Sequence, residues 1–550
     1  MTARAAAAIG AGALCLGVAL FLTAAPTADA ARFAVGIVPG ADRAAVAQRL
    51  RVRGATGVVD LNPIPVLAVS ASRAAPLRGV PGARYVELLR SRLESFVPND
   101  PFLARQWYAT QNRAFDAWTE PPPLAPVRVA VIDSGVDSTH PELRGRIVGS
   151  KSFVAGSATV DTQGHGTFVA GLIAAQTNDG VGIAGLAPPA ELLVAKVVGP
   201  QRSIPVEAEA KAIRWAVASG ARIINMSLGG LRDPGNPSRD TYSQLEADAV
   251  AYAVSKGILV VAAVGNSDQS PSQPWPYASW PAALPHVLGV SALSRKGGSP
   301  NFSNRDPQFN DIAAPGEDIL STLPLALTAG HPECVEQGYS SCGPEEYRAA
   351  EGTSFATPQV TAAAAVLLAT APALTPDQVL ALLEGSAVDA TPANGCEACV
   401  TGRDRFTGFG RLDQVAALDL LGTGAPPRDR YEPNDDGGAS AYPLFGPRRQ
   451  VDATLDFWND RDDVYRVYLR AGDRLVATAG ASTSVRPALA LWRPGTQTVD
   501  SASAPVRRLA ARPPGAGLSY KARAAGWYVL HVRVTRPGAG PYRLALSKSG

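Results

Sequence analysis

An excess of charge of either sign is largely missing from this chain. Its 550 residues carry 51 Lys and Arg against 48 Asp and Glu, a formal net charge of +3. Only residues 31–95 depart from balance, with ten arginines against four acids. Nucleic-acid binding needs a basic face, and the rest of the chain offers none. Charged residues make up 18% against 46% hydrophobic, which excludes disorder through excess charge. The 53 glycines and 46 prolines follow no triplet repeat, which excludes collagen. Past the N-terminus no run is long and apolar enough to span a bilayer. Cysteine is scarce as well, at five residues. What remains can build several packed domains, and at roughly 150 residues each the length allows about three or four.

Residues 1–30 read as a targeting segment. Arg4 precedes an apolar run from Ala5 to Ala25, then Pro26, Thr27 and the small-residue box Ala28-Asp29-Ala30. That order describes a secretory signal peptide cut after Ala30. The alternative is a retained anchor, for which the run is long enough. Cys15 does not form a lipoprotein site, because Gly12-Ala13-Leu14 before it lacks the required order. The expected product is exported, extracellular or periplasmic, with no stable membrane span. Without Cys15, Cys334, Cys342, Cys396 and Cys399 remain, and four cysteines allow three pairings. The local pairs Cys334–Cys342 and Cys396–Cys399 are the simplest in an oxidising compartment. A four-thiolate zinc site is the rival, but the first pair is spaced too widely for it.

Residues 31–95 hold a strand-like FAVGIV (33–38), an Arg-studded amphipathic stretch Arg43–Arg53, and strand-like runs around Val58–Val69. They predict a small α+β module. From Pro98 the pattern changes. VRVAVI (127–132), ELLVAKV (191–197), RIINMSL (222–228) and ILVVAAV (258–264) are apolar runs without polar alternation, as strands covered on both faces should be. Helical stretches Val206–Ser219 and Ser243–Lys256 end at Gly220 and Gly257. The alternation predicts a doubly wound, mostly parallel α/β sheet. Thr375-Pro376-Asp377-Gln378 is a capping box that opens a further helix. The Gly/Pro-rich linker Gly422–Arg430 closes this region, assigned to residues 96–422. Residues 428–550 then turn β-rich, through DVYRVYL (463–469), DRLVATA (473–479), ALALWR (488–493), GWYVLHV (526–532) and PYRLALS (541–547). They predict an all-β sandwich.

Three glycine-flanked segments carry an acid, a base and a nucleophile. Asp133 follows the strand VRVAVI, at a carboxyl end of the sheet, where open α/β sheets build their sites. His165 lies in GHGTFVAG at the start of a helix. Ser354 lies in EGTSFATPQV, ahead of a long Ala-rich helix whose N-terminal N–H groups favour an oxyanion. Singly each is weak, since a strand-end Asp is often a cap and a His in a Gly-rich turn is often surface. In the order Asp, His, Ser on a parallel α/β pattern, they match one of the known chain orders of hydrolytic triads.

Over residues 96–420 the chain resembles the subtilisin-like serine peptidases. The resemblance rests on NDPFLARQW (99–107), VIDSGVD, GHGTFVAG, NMSLGG (225–230), AAVGN (262–266), GTSFATP and GFGRLD (408–413). It implies a serine endopeptidase acting on proteins or peptides, with no cofactor for catalysis. Asp133, His165 and Ser354 become the triad, and Asn266 the oxyanion donor; the alternative for Asn266 is a turn-forming role. Phe168 departs from the His usual at that position, beside the triad but outside it. Ser227, Leu228 and Gly229 are implied to pair with the substrate backbone by strand addition, and with Gly265 to border the first specificity pocket. These segments hold no acid, so a basic residue next to the scissile bond is disfavoured.

The same resemblance implies a structural Ca²⁺ site. Carboxylates of Asp100, Glu142 and Asp179 and carbonyls of Gln176, Val181 and Ile183 would form its oxygen shell. Glu142 departs from the usual Asp, and a solvated acidic loop is the alternative. Residues 31–95 resemble an inhibitor-type propeptide, an intramolecular inhibitor removed by self-cleavage near Arg92–Val97. Residues 428–550 resemble a bacterial pre-peptidase C-terminal domain, whose Asp456, Asp460, Asp462 and Asp463 are expected to cap turns rather than bind a cation. The contrasting expectation for the whole chain is a catalytically dead binding or adhesion protein on a peptidase scaffold.

Overall fold

The computed structural model describes residues 31–72, 74, 76–89, 95–120, 123–330, 340–341, 346–480, 485–499 and 507–549. The predicted leader and the predicted Cys334–Cys342 bridge lie outside the described residues. The chain divides into two compact units between Arg92 and Leu93.

In the first unit a four-stranded antiparallel sheet runs in the order Thr56–Asp60, Val66–Ala71, Ala31–Ile37, Ala83–Leu88. A helix, Arg43–Val52, packs on it through Val46, Ala47 and Leu50. Asp42 caps that helix by accepting the Ala44 and Ala45 N–H groups at 2.9 and 3.2 Å. Of its arginines, Arg49 and Arg51 are exposed, while Arg43 pairs with Asp60 on the edge strand of the sheet.

The second unit is built on a seven-stranded parallel sheet. In chain order its elements are β1 (Val127–Asp133), β2 (Ile147–Ser152), α1 (His165–Ala174), β3 (Ala190–Lys196), α2 (Val206–Ala218), β4 (Ile223–Met226), α3 (Gln244–Ser255), β5 (Leu259–Ala263), β6 (Val287–Leu293), β7 (Ile312–Pro315), α4 (Thr353–Thr370) and α5 (Pro376–Ser386). The strand order is β7-β6-β5-β4-β1-β3-β2. Helices cover both faces, which is why the strands read as unbroken apolar runs. Along β1, Val129 and Val131 join the core under α1 and α4, while Ala130 and Ile132 join the core under α2 and α3. The order turns back on itself at β1, so the carboxyl end of β1 sits at the crevice where such sheets place their sites. Gly220 and Gly257 close α2 and α3 in left-handed conformations (φ 76° and 73°), and the Thr375–Gln378 capping box opens α5.

Two further sheets lie beyond residue 430, one of five strands and one of four, around a shared core that includes Tyr465, Leu475, Leu530 and Leu544. All the predicted runs are strands, and Arg448–Asp456, Arg508–Arg512 and Leu518–Lys521 join them. The expectation of a turn-capping acid cluster needs correction. Asp456 does cap, accepting the Trp458 N–H at 2.8 Å. Asp462 instead pairs with His531 at 2.6 Å and Arg533 at 3.1 Å. Asp460 and Asp463 are buried, each with an unpartnered oxygen. Burial of Asp460 and Asp463 and the cross-strand pairing of the partly exposed Asp462, not turn exposure, set the roles of these three.

Candidate active site

Asp133 ends β1 and is 2% exposed. His165 begins α1, and its Nδ1 lies 2.8 and 3.0 Å from the two Asp133 carboxylate oxygens. This close approach requires a glycine next in the chain, because a Cβ on Gly166 would stand 2.1 Å from the Gly135 carbonyl. Burial alone would lower the imidazole pKa, but the Asp133 charge and hydrogen bond outweigh it and hold the pKa above its ordinary value.

The pair is held by a residue that the sequence reading passed over. Asp161 accepts the Ser134 hydroxyl, the Gly164 N–H and the Thr167 N–H, each at 2.9 Å, and the Thr167 hydroxyl at 2.7 Å. The Ser134 hydroxyl in turn accepts the Gly166 N–H at 2.9 Å. One carboxylate thus ties the end of β1 to the first turn of α1. An Asp four residues before a helix-opening His was the available signal. Lys196 stands behind the pair, with its ammonium donating to the Ser134 carbonyl.

Ser354 sits in the first turn of α4. It is the single residue from Thr353 to Ala369 that is not buried. Pro358 denies the Ser354 carbonyl its helical donor. On either side of it the Thr357 hydroxyl and Gln359 amide bond the Thr353 and Phe355 carbonyls, each at 2.8 Å. Asn266 follows β5. Its Oδ1 accepts both the N–H and the hydroxyl of Thr353 at 3.0 Å, so the amide orientation is fixed and Nδ2 is left for the cleft. Phe168 packs against Phe355 at 4.4 Å between ring centroids, and Phe355 lies 5.4 Å from the His165 ring. The substitution at 168 therefore fills apolar space behind the imidazole.

Asp133, His165, Ser354 and Asn266 line one cavity of about 810 Å³, together with Ser227, Leu228, Gly229 and Gly265. Ser227 is fixed from behind by the Asn225 amide at 2.9 Å, and Asn225 by the Thr361 hydroxyl at 2.8 Å. The neighbouring Gly230 pairs its backbone with Trp280, so this segment already forms half of a ladder. Gly265 is left-handed (φ 95°), and a Cβ there would meet the Ser279 hydroxyl at 2.1 Å.

Three of the predicted calcium ligands, Asp100, Glu142 and Asp179, lie near one another at the other end of α1. Asp100 accepts the Asn178 N–H at 2.8 Å, and Glu142 accepts the Ile183 N–H at 2.9 Å. Asp179 accepts the Val181 N–H at 2.9 Å, within the same loop. Each of the first two has its remaining carboxylate oxygen buried without a partner. Burial raises the Glu142 carboxyl to about 7, with Asp179 and Asp100 adding repulsion. Buried carboxylates that repel one another and keep an unused oxygen fit a divalent, oxygen-seeking ion. The Gln176 amide donates to the Pro141 carbonyl at 3.0 Å, which fixes the start of that loop. Separately, Cys396 and Cys399 are disulfide-bonded, as expected.

Comparison with known proteins places these observations. The subtilase family profile matches residues 125–410. Thermitase of Thermoactinomyces vulgaris is 34% identical over 274 residues, covering 50% of this chain and 85% of that protein. A thermophilic serine proteinase of Bacillus sp. (strain AK1) is 33% identical over 329 residues, covering 58% of this chain and 73% of that protein. The major intracellular serine protease of Bacillus subtilis (strain 168) is 38% identical over 247 residues, covering 44% of this chain and 68% of that protein.

Proposed function

The chain belongs to the subtilase family and is a serine endopeptidase, and from that premise we propose how its own residues cleave a peptide bond. His165 removes the Ser354 hydroxyl proton as Oγ attacks the scissile carbonyl, and then delivers it to the leaving amine. Asp133 stays ionised, fixes the Nδ1–H tautomer and stabilises the imidazolium. The developing oxyanion is held by the Asn266 amide and the Ser354 backbone N–H, where losing one donor typically costs about 2.7–4 kcal/mol. Water then repeats the sequence on the acyl-enzyme. The observation that carries this reading is the shared cavity: a hydrogen-bonded Asp133–His165 pair, Ser354 at a helix N-terminus and an oriented Asn266 all border it.

Residues 1–30 direct export in this reading, and residues 31–95 act as the inhibitor removed by self-cleavage. The compact first unit with its own core supports that role. Residues 428–550 form the accessory C-terminal domain. Asp100, Glu142, Asp179 and the carbonyls of Gln176, Val181 and Ile183 hold Ca²⁺, which contributes stability and no step of the chemistry. A fluorophosphonate probe tests the central claim. Labelling of folded protein is expected to require Ser354, and Ser354→Ala is expected to persist as a precursor retaining residues 31–95. Folded wild-type protein that resists labelling would overturn the mechanism.

A further inference from the structure

The cleft that holds Ser354 carries two acids the chemistry does not use. Glu209 in the first turn of α2 and Glu246 in the first turn of α3 both line it, and each is only 5% exposed. Other acids on these helices have partners: Glu207 pairs with Lys211 at 2.6 Å, and Asp248 accepts the Gln244 amide at 2.9 Å. The carboxylates of Glu209 and Glu246 have neither a hydrogen bond nor an ion pair among the described residues. The walls around them are apolar or uncharged, through Ile204, Val206, Leu228, Leu231 and Thr241. Apart from the Asp133–His165 pair, the remaining charged residues bordering the cleft are Arg202, on the loop before α2, and Asp268, on the loop after β5.

A helix N-terminus favours an anion, which makes two acids here easier to hold. It does not account for burying both, side by side, against a cavity. Burial raises Glu209 to about 8, with Glu246 adding repulsion, and raises Glu246 to about 7. A cation brought in from outside would relieve both effects. The cavity is the peptide cleft, and the Ser227–Gly229 edge beside it suits a substrate strand that sends alternate side chains into pockets. Lysine and arginine have the matching shape, an apolar stem for the Leu228 and Leu231 walls and a charged head for the two carboxylates. We propose that Glu209 and Glu246 form an acidic subsite that takes a lysine or arginine side chain of the substrate, upstream of the scissile bond. The inference rests on the peptidase reading. It differs from the pocket next to the scissile bond, whose wall segments contain no acid.

The test is cleavage of a proteome-derived peptide library by the full-length processed enzyme, with the cut sites sequenced by mass spectrometry. Lysine and arginine are expected to be enriched at one upstream position. For two peptides differing only by Lys or Leu at that position, the ratio of kcat/KM is expected to fall about tenfold or more in Glu209→Gln and Glu246→Gln, as for the loss of one partner of a buried charge pair. In the wild type the ratio should rise between pH 6 and pH 9, because the raised carboxyls ionise over that range. Fluorophosphonate labelling confirms that each variant is folded. Absence of enrichment, or enrichment retained in the double Gln variant, would overturn the subsite and leave the peptidase standing. Absence of any Ser354-dependent cleavage would overturn both.

Discussion

Of the histidines that lie against carboxylates, His165 and His286 differ in a way that separates the proposed catalytic arrangement from a structural one. His165 pairs with Asp133 at the rim of an open cavity shared with Ser354, and its side chain is 21% exposed. His286 is 3% exposed and bridged on both sides, with Nδ1 3.1 Å from Asp377 and Nε2 2.9 Å from Asp435 and 3.7 Å from Glu432. Both nitrogens are occupied, so His286 has no position from which to move a proton to a substrate. It joins the α/β core to the segment leading into the C-terminal sandwich. Burial opposes its charge, but the Asp435 and Asp377 carboxylates outweigh that and raise its pKa well above the ordinary value. A His–Asp contact is therefore no sign of catalysis by itself. Access to a nucleophile-bearing cavity makes the distinction.

Breaking the first pair has the largest expected effect. Asp133→Asn leaves the geometry nearly intact but removes the acceptor that fixes the tautomer, and kcat should fall on the order of 10⁴-fold. The pH profile sharpens the test. Activity needs neutral His165, so it is lost as pH falls through the imidazole pKa. Asp133 holds that pKa up, and in the variant the acid limb should move to lower pH. An unmoved acid limb would mean that another group sets the profile.

Breaking the second pair should change stability instead. His286→Ala leaves Asp377, Glu432 and Asp435 facing one another without the imidazole. Removing one partner of such a buried cluster costs about 3–5 kcal/mol. The melting temperature should fall while Ser354 labelling of still-folded protein continues at the wild-type rate. Loss of labelling at temperatures where the fold persists would count against the separation drawn here.

The two histidines also differ in how far the sequence exposes them. His165 sits in a local motif, GHGTFVAG, and its partner ends an apolar run that reads as a strand. The partners of His286 are 91 and 149 residues away, and no spacing rule reaches them. Glu209 and Glu246 were illegible for another reason: first-turn acids are ordinary on helices, and only the packing of α2 beside α3 turns them toward the cleft. Asp460 and Asp463 resembled turn residues because burial of an acid leaves no trace in sequence. The strands β1, β3, β4 and β5 were legible because both their faces are covered. Not read as strands were β6, interrupted by Gly289 and Ser291, the half-exposed β2, the four-residue β7 and the weak strands of the sandwich, such as Arg508–Arg512.

The smallest expected effect separates two acid clusters that differ as the two histidines do. Near α1, Asp100 and Glu142 each keep a buried oxygen without a partner. At the seam, Glu432 and Asp460 do the same, but there His286 already contributes a cation. An ion bound only by the folded state stabilises by RT ln(1 + [L]/Kd), about 2.7 kcal/mol at one hundred times Kd. Chelation should accordingly lower the melting temperature of the full chain and speed autolysis, with the initial turnover of folded enzyme unchanged. Asp179→Ala should remove most of that response, because Asp179 adds its charge to the site formed by Asp100 and Glu142. Asp460→Asn, made in the same full-length chain, reports the seam separately. A chelator response that survives Asp179→Ala and disappears in Asp460→Asn would assign the ion to the seam. The loop beyond α1 would then be solvated polar surface.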